Sequence, residues 1–428
     1  MQVILGILGF IFVMGLAVLV HELGHFISAR KFGVLCHEFA IGMGPIVWSK
    51  RKGETLYTIR AIPIGGFVSM GTVEGERDIF PMDNEISVTL DAFETVTKFH
   101  YQPEDGAVRG ILATNTLDIS ANLEVALMID GERKVFPVDK EARYLDSEQK
   151  RELQIVPSDR MLEKKPKLQR LLIMASGAIM NFILAYVLVV VIGFGFGEPG
   201  GMTTHLNMVE SGQPAYIAGL QVGDQIVEIN GVIITDGNSL TDQIQAVGAN
   251  ELIILFERNG VHNETIVTPV PSDGRYVIGV GISTEIGYFT RSIGGAFRYA
   301  NAEWWGGATL IATTLRNLGT GEVGVNELSG PVGIAYMTSQ FAMQGFLPLL
   351  WFAALININL GMFNLLPLPA LDGGHITFII IESIIGKPVS PKLQNRVAMV
   401  GLMIFMGLFV FTFFNDIWRF FLSNIFGS

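Results

Sequence analysis

Residues 3–25 read VILGILGFIFVMGLAVLVHELGH: an uncharged apolar run of 18 residues, Val3–Val20, leads directly into His21, Glu22 and His25. A run of that length crosses the hydrocarbon core of a bilayer as one helix. At 1.5 Å per residue, His21 lies about 27 Å along the helix from Val3, near the far boundary of that core. Residues four apart share a helix face, so His21 and His25 can present both imidazoles to one zinc ion. Glu22, one residue on, can serve as general base toward the bound water. So short a pattern also arises by chance, but inside an apolar span each ionisable group costs about 2.5–3.5 kcal/mol to insert, and such groups mark function.

Three further stretches are long and apolar enough to span: Leu171–Gly197, Phe346–Leu366 and Val397–Phe414, whereas Ile376–Ile385 is too short. Of the 428 residues, 50% are hydrophobic and 16% charged, against about 25% charged in soluble domains. That deficit excludes a disordered or nucleic-acid-binding chain, and the net charge of −11 also speaks against nucleic acid. Cys36 is the single cysteine, so there is no internal disulfide and no thiolate cage. Any metal must be held by His, Asp or Glu. The first run has no basic leader and no small-residue cleavage pattern, so it is a span and not a signal peptide.

Basic residues flanking a span stay cytosolic. Arg30 and Lys31 follow the first span, Lys164, Lys165, Lys167 and Arg170 crowd the entry to the second, and Lys387, Lys392 and Arg396 separate the third from the fourth. After the second span no Lys or Arg appears until Arg258. The expected topology has both termini outside, residues 30–170 and 367–396 inside, and 198–345 outside.

The chain therefore divides into a first span with HExxH (1–30), a β-hairpin region (31–72), a small, partly ordered cytosolic insertion of no evident role (73–168), a second span (169–197), an outer β-rich module (198–290), a linker or amphipathic segment (291–345), a third span with its following motif (346–375), a cytosolic-side segment (376–396) and a fourth span with the C-terminus (397–428). Glu54–Met70 is rich in Thr, Tyr, Ile, Val and Phe and is broken by Pro63 and Gly65-Gly66, a β-hairpin or bent-strand pattern. QPAYIAGLQVGDQIVEING, residues 213–231, combines Gly turns with an alternating strand.

Catalytic zinc takes three protein ligands and a water, so two histidines leave a vacancy. The segment NLLPLPALDGGH, residues 364–375, follows the third span. Pro367 and Pro369 stop the helix and Gly373-Gly374 lets the backbone turn, which places Asp372 on a bent loop at the same membrane edge as His21. Asp372 is the preferred third ligand and His375 its rival. Asn357, Asn359 and Asn364 lie in or at the end of the third span, and Asn357 and Asn364 share a face. They serve either interhelical hydrogen bonding or substrate and oxyanion contact. Asn181, four residues after Gly177, reads as a helix-packing residue. His37, His100, His205, His262 and Cys36 read as surface groups.

HExxH in the first span, NxxPxPxLDGG after the third and a PDZ-like module between the second and third together resemble the site-2 protease family of intramembrane zinc metalloproteases. Within it the chain is similar to the bacterial RseP/RasP branch, nearer the Gram-positive form with a single PDZ-like module. The Leu328-Ser329-Gly330-Pro331 run matches the branch, and Ala178 departs from it where Pro is expected after Gly177. The resemblance implies a polytopic α-helical membrane protein with four transmembrane helices, a membrane-associated β-hairpin and one extracytoplasmic PDZ-like domain, in a bacterial plasma membrane with the active site near the cytosolic face. It implies Zn2+ on His21, His25 and Asp372, with Glu22 as base. It implies that the Glu54–Met70 hairpin pairs with substrate through residues such as Thr58, Gly65, Gly66 and Phe67, and that Asn364 contacts the substrate backbone. Its substrates are single-span membrane proteins already cut once on the outer side, for example anti-sigma factors or remnant signal peptides, and the lipid bilayer is the other partner. A metal transporter, a PDZ-bearing scaffold with structural zinc and a membrane-anchored protease for soluble substrates are the alternatives. A transporter would want several polar spans, a scaffold would not need Glu22, and an anchored protease would carry HExxH outside a span.

Overall fold

The structure is a computed structural model that describes residues 2–76, 79–80, 82–102, 104–146, 151–196, 198–199, 204–234, 237–272, 275–282, 289–290, 292–369 and 371–419. Gly197 at the end of the second apolar stretch, Ala370 in the NLLPLPALDGGH motif, and residues 420–428 lie outside them. Among the described residues, four helices are long and apolar enough to cross a membrane, over Gly6–Lys31, Lys167–Gly195, Phe346–Leu365 and Lys392–Ile417. The chain divides into two compact units, Val189–Glu303 and the remainder.

In the larger unit, α1 (Gln2–Lys31) is followed by two long antiparallel strands, β1 (Cys36–Lys52) and β2 (Thr55–Met70). The hairpin is therefore twice the length expected, because its first half, interrupted by Gly42, Gly44 and Pro45, does not look like a strand. Gly42 and Gly65, both at positive φ, let the two strands bend, a conformation that costs glycine nothing. After the bends residues 36–41 pair with 66–70 on one side and with 56–59 on the other, while 46–52 pair with 55–60. The hairpin so becomes a four-segment sheet in the order 66–70, 36–41, 55–60, 46–52. One face, carrying Phe39, Ile41, Tyr57, Val68 and Met70, packs on Phe26 and Ile173. Cys36 and His37 begin this sheet and are buried, not surface groups. Burial, with the Glu54 charge adding to it, pushes the Cys36 thiol up to about 12, so it is inert at neutral pH.

The insertion is an ordered domain. Strands β3 (Glu85–Leu90), β4 (Val96–His100), β5 (Val108–Leu112), β6 (Glu124–Ile129), β7 (Glu132–Asp146) and β8 (Arg151–Gln154) form one sheet, with helix α2 (Thr116–Asn122) between β5 and β6. A parallel pairing of Val96–Phe99 with Val138–Tyr144 closes the sheet on itself, around Phe80, Val88, Phe99, Leu112, Ile119 and Leu127. Closure removes open edges, and a partner some forty residues away in sequence is what strand-by-strand reading cannot supply. A long helix, α3 (Lys167–Phe196), then returns through the apolar region.

The second unit holds β9 (Leu206–Val209), β10 (Gln225–Ile229), β11 (Val232–Ile233), α4 (Gly237–Val247), β12 (Leu252–Arg258), β13 (Val261–Val267) and β14 (Val280–Ile282). Its four-stranded antiparallel sheet has the order β11-β10-β12-β13, and β9 pairs with β14. Ile226, Ile229, Ile254 and Phe256 from the strands bury Leu240 and Ile244 of α4. Asp224 is buried and held by Arg258 at 2.6 and 2.7 Å. Burial alone would raise its carboxyl, but Arg258 and the Gln221 N–H outweigh it and hold the group below the usual carboxylate range.

The rest of the chain is helical: α5 (Ile293–Thr320), α6 (Pro331–Gln344), α7 (Phe346–Leu365), α8 (Asp372–Ile385) and α9 (Pro391–Ile417). Gly6 and Gly9 of α1 lie against Ser339 and Ala342 of α6. Asp416 near the end of α9 accepts the Gly333 N–H at 2.7 Å, supplying a partner for the first turn of α6.

Candidate metal centre

His21 and His25 project from one face of α1, as spacing by four requires. Gly24 between them lets α3 approach: a Cβ there would stand 2.4 Å from the Ser176 carbonyl oxygen, and Ser28 Oγ and Ser176 Oγ are 2.8 Å apart one turn further on. That approach sets Gly177 directly over the two imidazoles. A Cβ at Gly177 would lie 2.3 Å from His25 Nε2 and 2.8 Å from His21 Nε2.

Asp372 arrives from the opposite end of the sequence as the first residue of α8. The segment before it folds tightly over the start of that helix. A Cβ on Gly373 would be 1.9 Å from the Leu366 carbonyl oxygen and one on Gly374 2.6 Å from that of Leu368, so the Gly pair is a condition of this loop. At the far end of α8, buried Glu382 is held to α3 by Arg170 Nη1 at 2.8 Å and by Lys167 Nζ, which donates to its carbonyl at 3.0 Å.

The three side chains meet in an equilateral triangle. His21 Nε2 and His25 Nε2 are 3.2 Å apart, and Asp372 Oδ2 is 3.2 Å from each. Ligands of a tetrahedral ion at the zinc–nitrogen distance of about 2.0–2.1 Å are separated by about 3.3 Å. The electron pairs point the same way. His25 Nδ1 donates to the Ile173 carbonyl at 2.8 Å, which leaves its Nε2 as a lone-pair donor. Asn181 Nδ2 and Asn364 Nδ2 stand 3.4 and 3.5 Å from His21 Nδ1. The Asn181 oxygen has no partner of its own, and as placed both amides turn an N–H donor toward His21 Nδ1. His25 Nε2 and Asp372 Oδ2 thus turn lone pairs to the centre of the triangle, and Asp372 Oδ2 is a buried acceptor with no donor of its own, a donor set that suits a cation. Among the described residues no other group of three His, Cys, Asp or Glu side chains meets in this way.

A cavity of about 500 Å3 opens over the triangle, lined by Glu22, Phe67, Ser69, Met174 and His375 among others. Glu22 borders it with the triangle, and the Val68 backbone N–H faces its carboxylate. Gly66 lies against Glu22, where a Cβ would be 3.2 Å from Glu22 Cγ. His375, three residues along α8 from Asp372, is exposed and lines the same cavity but lies outside the triangle. Asn357 is buried and donates to the Ala353 carbonyl of its own helix at 2.7 Å, away from the triangle.

Two sequence expectations change at this site. Thr58 sits on an interior segment, paired with Ala40 on one side and Ser49 on the other, and its hydroxyl donates to Glu38 at 2.6 Å. It offers nothing to an added strand. Asn181 is not a mere packing residue but reaches His21. Its position four residues after Gly177, which opens the space over the same imidazoles, is the signal that could have found it.

The chain matches the model of Peptidase family M50 over residues 9–408. It is 35% identical over 425 residues to the zinc metalloprotease RasP of Shouchella clausii, covering 97% of this chain and 99% of the relative. It is 36% identical over 429 residues to the regulator of sigma-W protease RasP of Bacillus subtilis, again covering 97% and 99%. Among solved structures, the PDZ domain of an SdrC-like protein from Listeria monocytogenes is 21% identical, covers 20% of this chain and 87% of its own, and has a TM-score of 0.17, too low to argue from.

Proposed function

The chain belongs to peptidase family M50, is a membrane metalloendopeptidase of regulated intramembrane proteolysis, and from that premise we propose that His21, His25 and Asp372 hold its zinc and that Glu22 is its general base. The observation that carries this reading is the 3.2 Å triangle of three metal-ligating atoms built on apolar helices. A zinc ion bound there supplies Lewis acidity toward a scissile carbonyl and toward water. Glu22 Oε accepts the proton of the attacking water and returns it to the leaving amide nitrogen. The Ile173 carbonyl holds the His25 ring in its metal-facing tautomer.

A helical substrate hides its carbonyls in its own hydrogen bonds, so it must unwind before it is cut. Gly66–Met70 is the outer segment of the hairpin sheet, and among the described residues no strand pairs with its free side. It also borders the cavity that holds Glu22. Strand addition along Gly66–Met70 replaces the substrate's lost backbone bonds and presents the peptide to the triangle. Asn364 lies beside His21, with its Nδ2 3.5 Å from His21 Nδ1, and in this reading contacts that peptide. The basic flanks favour a multi-pass orientation with both termini outside and the centre near the cytosolic face. The four-stranded unit over Val189–Glu303, read as PDZ-like, then faces outward and filters entry. The name of the Bacillus subtilis relative, regulator of sigma-W protease, supports a membrane anti-sigma factor as the substrate class, and prior trimming of its outer side is part of our proposal.

Glu22→Gln tests the assignment. Purified variant is expected to keep one zinc per chain and to leave a reconstituted single-span substrate uncut. Persistent cleavage would overturn Glu22 as the base, and loss of the metal would move it into the ligand shell.

A further inference from the structure

The face of the hairpin sheet turned away from α1 carries charges that the proposed reaction does not use. Cross-strand partners share a face, so Phe67, Ala40 and Thr58 lie on this side together with Ser69 and Glu38, and Arg60 follows two residues after Thr58. Glu38 is enclosed there. Thr58 Oγ1 donates to it at 2.6 Å, Arg60 Nη2 at 2.7 Å, and Arg151 Nη1 reaches it from β8 of the insertion domain. Burial alone would raise the Glu38 carboxyl, but these donors outweigh it and hold the group below the usual carboxylate range.

The open part of this cluster is cationic. The Glu38 side chain is 2% exposed, whereas Arg60 and Arg151 each keep 14%. Among the described side chains, two guanidiniums against one carboxylate leave one positive charge over, and Nε of both arginines has no partner. Glu152, next to Arg151 in the chain, is engaged by Lys98 at 3.1 Å and has Arg143 at 3.9 Å. Arg60 is fixed in place by donating to the Gly44 carbonyl at 2.7 Å and by lying 4.9 Å over the Phe67 ring. The group lines a cavity of about 450 Å3 whose wall includes Phe67 and Ser69, and the same two residues line the cavity over the metal triangle. The two cavities meet at one strand.

Side chains of a strand alternate between its faces. A peptide added along Gly66–Met70 turns every second side chain to the Val68 face, toward α1 and the triangle, and the ones between to the Phe67 and Ser69 face. Resting on the reading of Gly66–Met70 as the strand-adding edge, we propose that Arg60 and Arg151 form a specificity subsite for a carboxylate side chain of the substrate, at a residue of that second set close to the scissile bond. The insertion domain, through Arg151, thereby takes part in choosing substrates. A planar fork of donors suits a carboxylate better than any other side chain.

The full-length protein in detergent free of anionic lipid, with a neutral single-span substrate, provides the test. One Glu at a time is placed through the residues flanking the cleaved bond, and each position is repeated with Lys. KM is expected to fall about fivefold with Glu and to rise with Lys at positions alternating by two, with kcat little changed, as a partly buried ion pair of about 1 kcal/mol gives. Arg151→Gln should flatten the Glu-to-Lys ratio, and Arg151→Lys should restore part of it. If Arg151→Gln fails to fold, the wild-type scan decides alone. KM values indifferent to charge at every position would overturn the subsite while leaving the protease reading intact, since that reading stands on the neutral substrate being cut by wild type and spared by Glu22→Gln. A rate that follows the fraction of added phosphatidylglycerol but not the substrate's charge would assign the cluster to lipid phosphate and equally overturn the proposal.

Discussion

Gly177 has no side chain, and the space it leaves is the space above the two imidazoles. Gly177→Ala would put a methyl group 2.3 Å from His25 Nε2, closer than any ligand geometry tolerates, so one ring must turn away. The variant is expected to fold but to hold well under one zinc per chain and to lose more than about tenfold in cleavage, as loss of ligand orientation does; metal analysis beside a melting curve checks this. Asp372→Asn should likewise lose most of the zinc or most of the activity, while His375→Ala, altering an exposed side chain outside the triangle, should keep both. Full occupancy and turnover in the Asp372 variant would move the third ligand elsewhere.

The hairpin acts as an element, and its segments are not equivalent. Proline removes a backbone donor, which a sheet edge tolerates and an interior segment does not. Val68→Pro at the outer segment should therefore slow cleavage about tenfold with zinc content unchanged. Thr58→Pro, between two partners, should instead lower the melting temperature of the whole protein. Equal effects of the two on melting would contradict the segment order. In the second unit, the Asp224 carboxyl has a folded pKa below its ordinary value of about 3.9. A depressed acid stabilises the fold above its ordinary pKa, and the contribution disappears as pH falls through the lower folded value. Asp224→Asn should thus cost about 1–3 kcal/mol at neutral pH, and its deficit should shrink below about pH 4. Hydrogen exchange of the Gln225–Ile229 amides across that range measures it.

For the whole molecule, the chain divides into two compact units, and the proposed filter role of the second can be tested by removing it. The triangle, Glu22 and the Gly66–Met70 edge all belong to the larger unit. A filter and an activator make opposite forecasts for a chain lacking residues 203–285. The filter leaves cleavage of a short-tailed substrate intact and permits some cutting of one with a bulky outer domain. An activator's loss depresses cleavage of the short-tailed substrate itself. The filter is the expected outcome, and a zinc-loaded deletion variant that cuts neither substrate would reverse it.

Much of this was legible in the sequence for a local reason. Span length is a property of one apolar run, and two histidines four residues apart share a face on any helix, so the four apolar helices and the pair on α1 needed no tertiary information. Gly373 and Gly374, expected at a bend, instead form the first turn of α8, and whether Asp372 or His375 would stand beside His21, some 350 residues away in the chain, was not legible, because that depends on how the Leu366 and Leu368 carbonyls pack over the two glycines. The hairpin's register depended on bends at Gly42 and Gly65, which make 66–70 the outer segment and bury Thr58 in the middle. The insertion's order depended on a parallel pairing of Val96–Phe99 with Val138–Tyr144, and the Asn181 contact on how closely Gly24 lets α3 approach α1. Periodicity along one element belongs to the sequence. Which edge is open, which amide meets which imidazole and which cation faces the groove are set by contacts between residues far apart in the chain, and those only the packed structure decides.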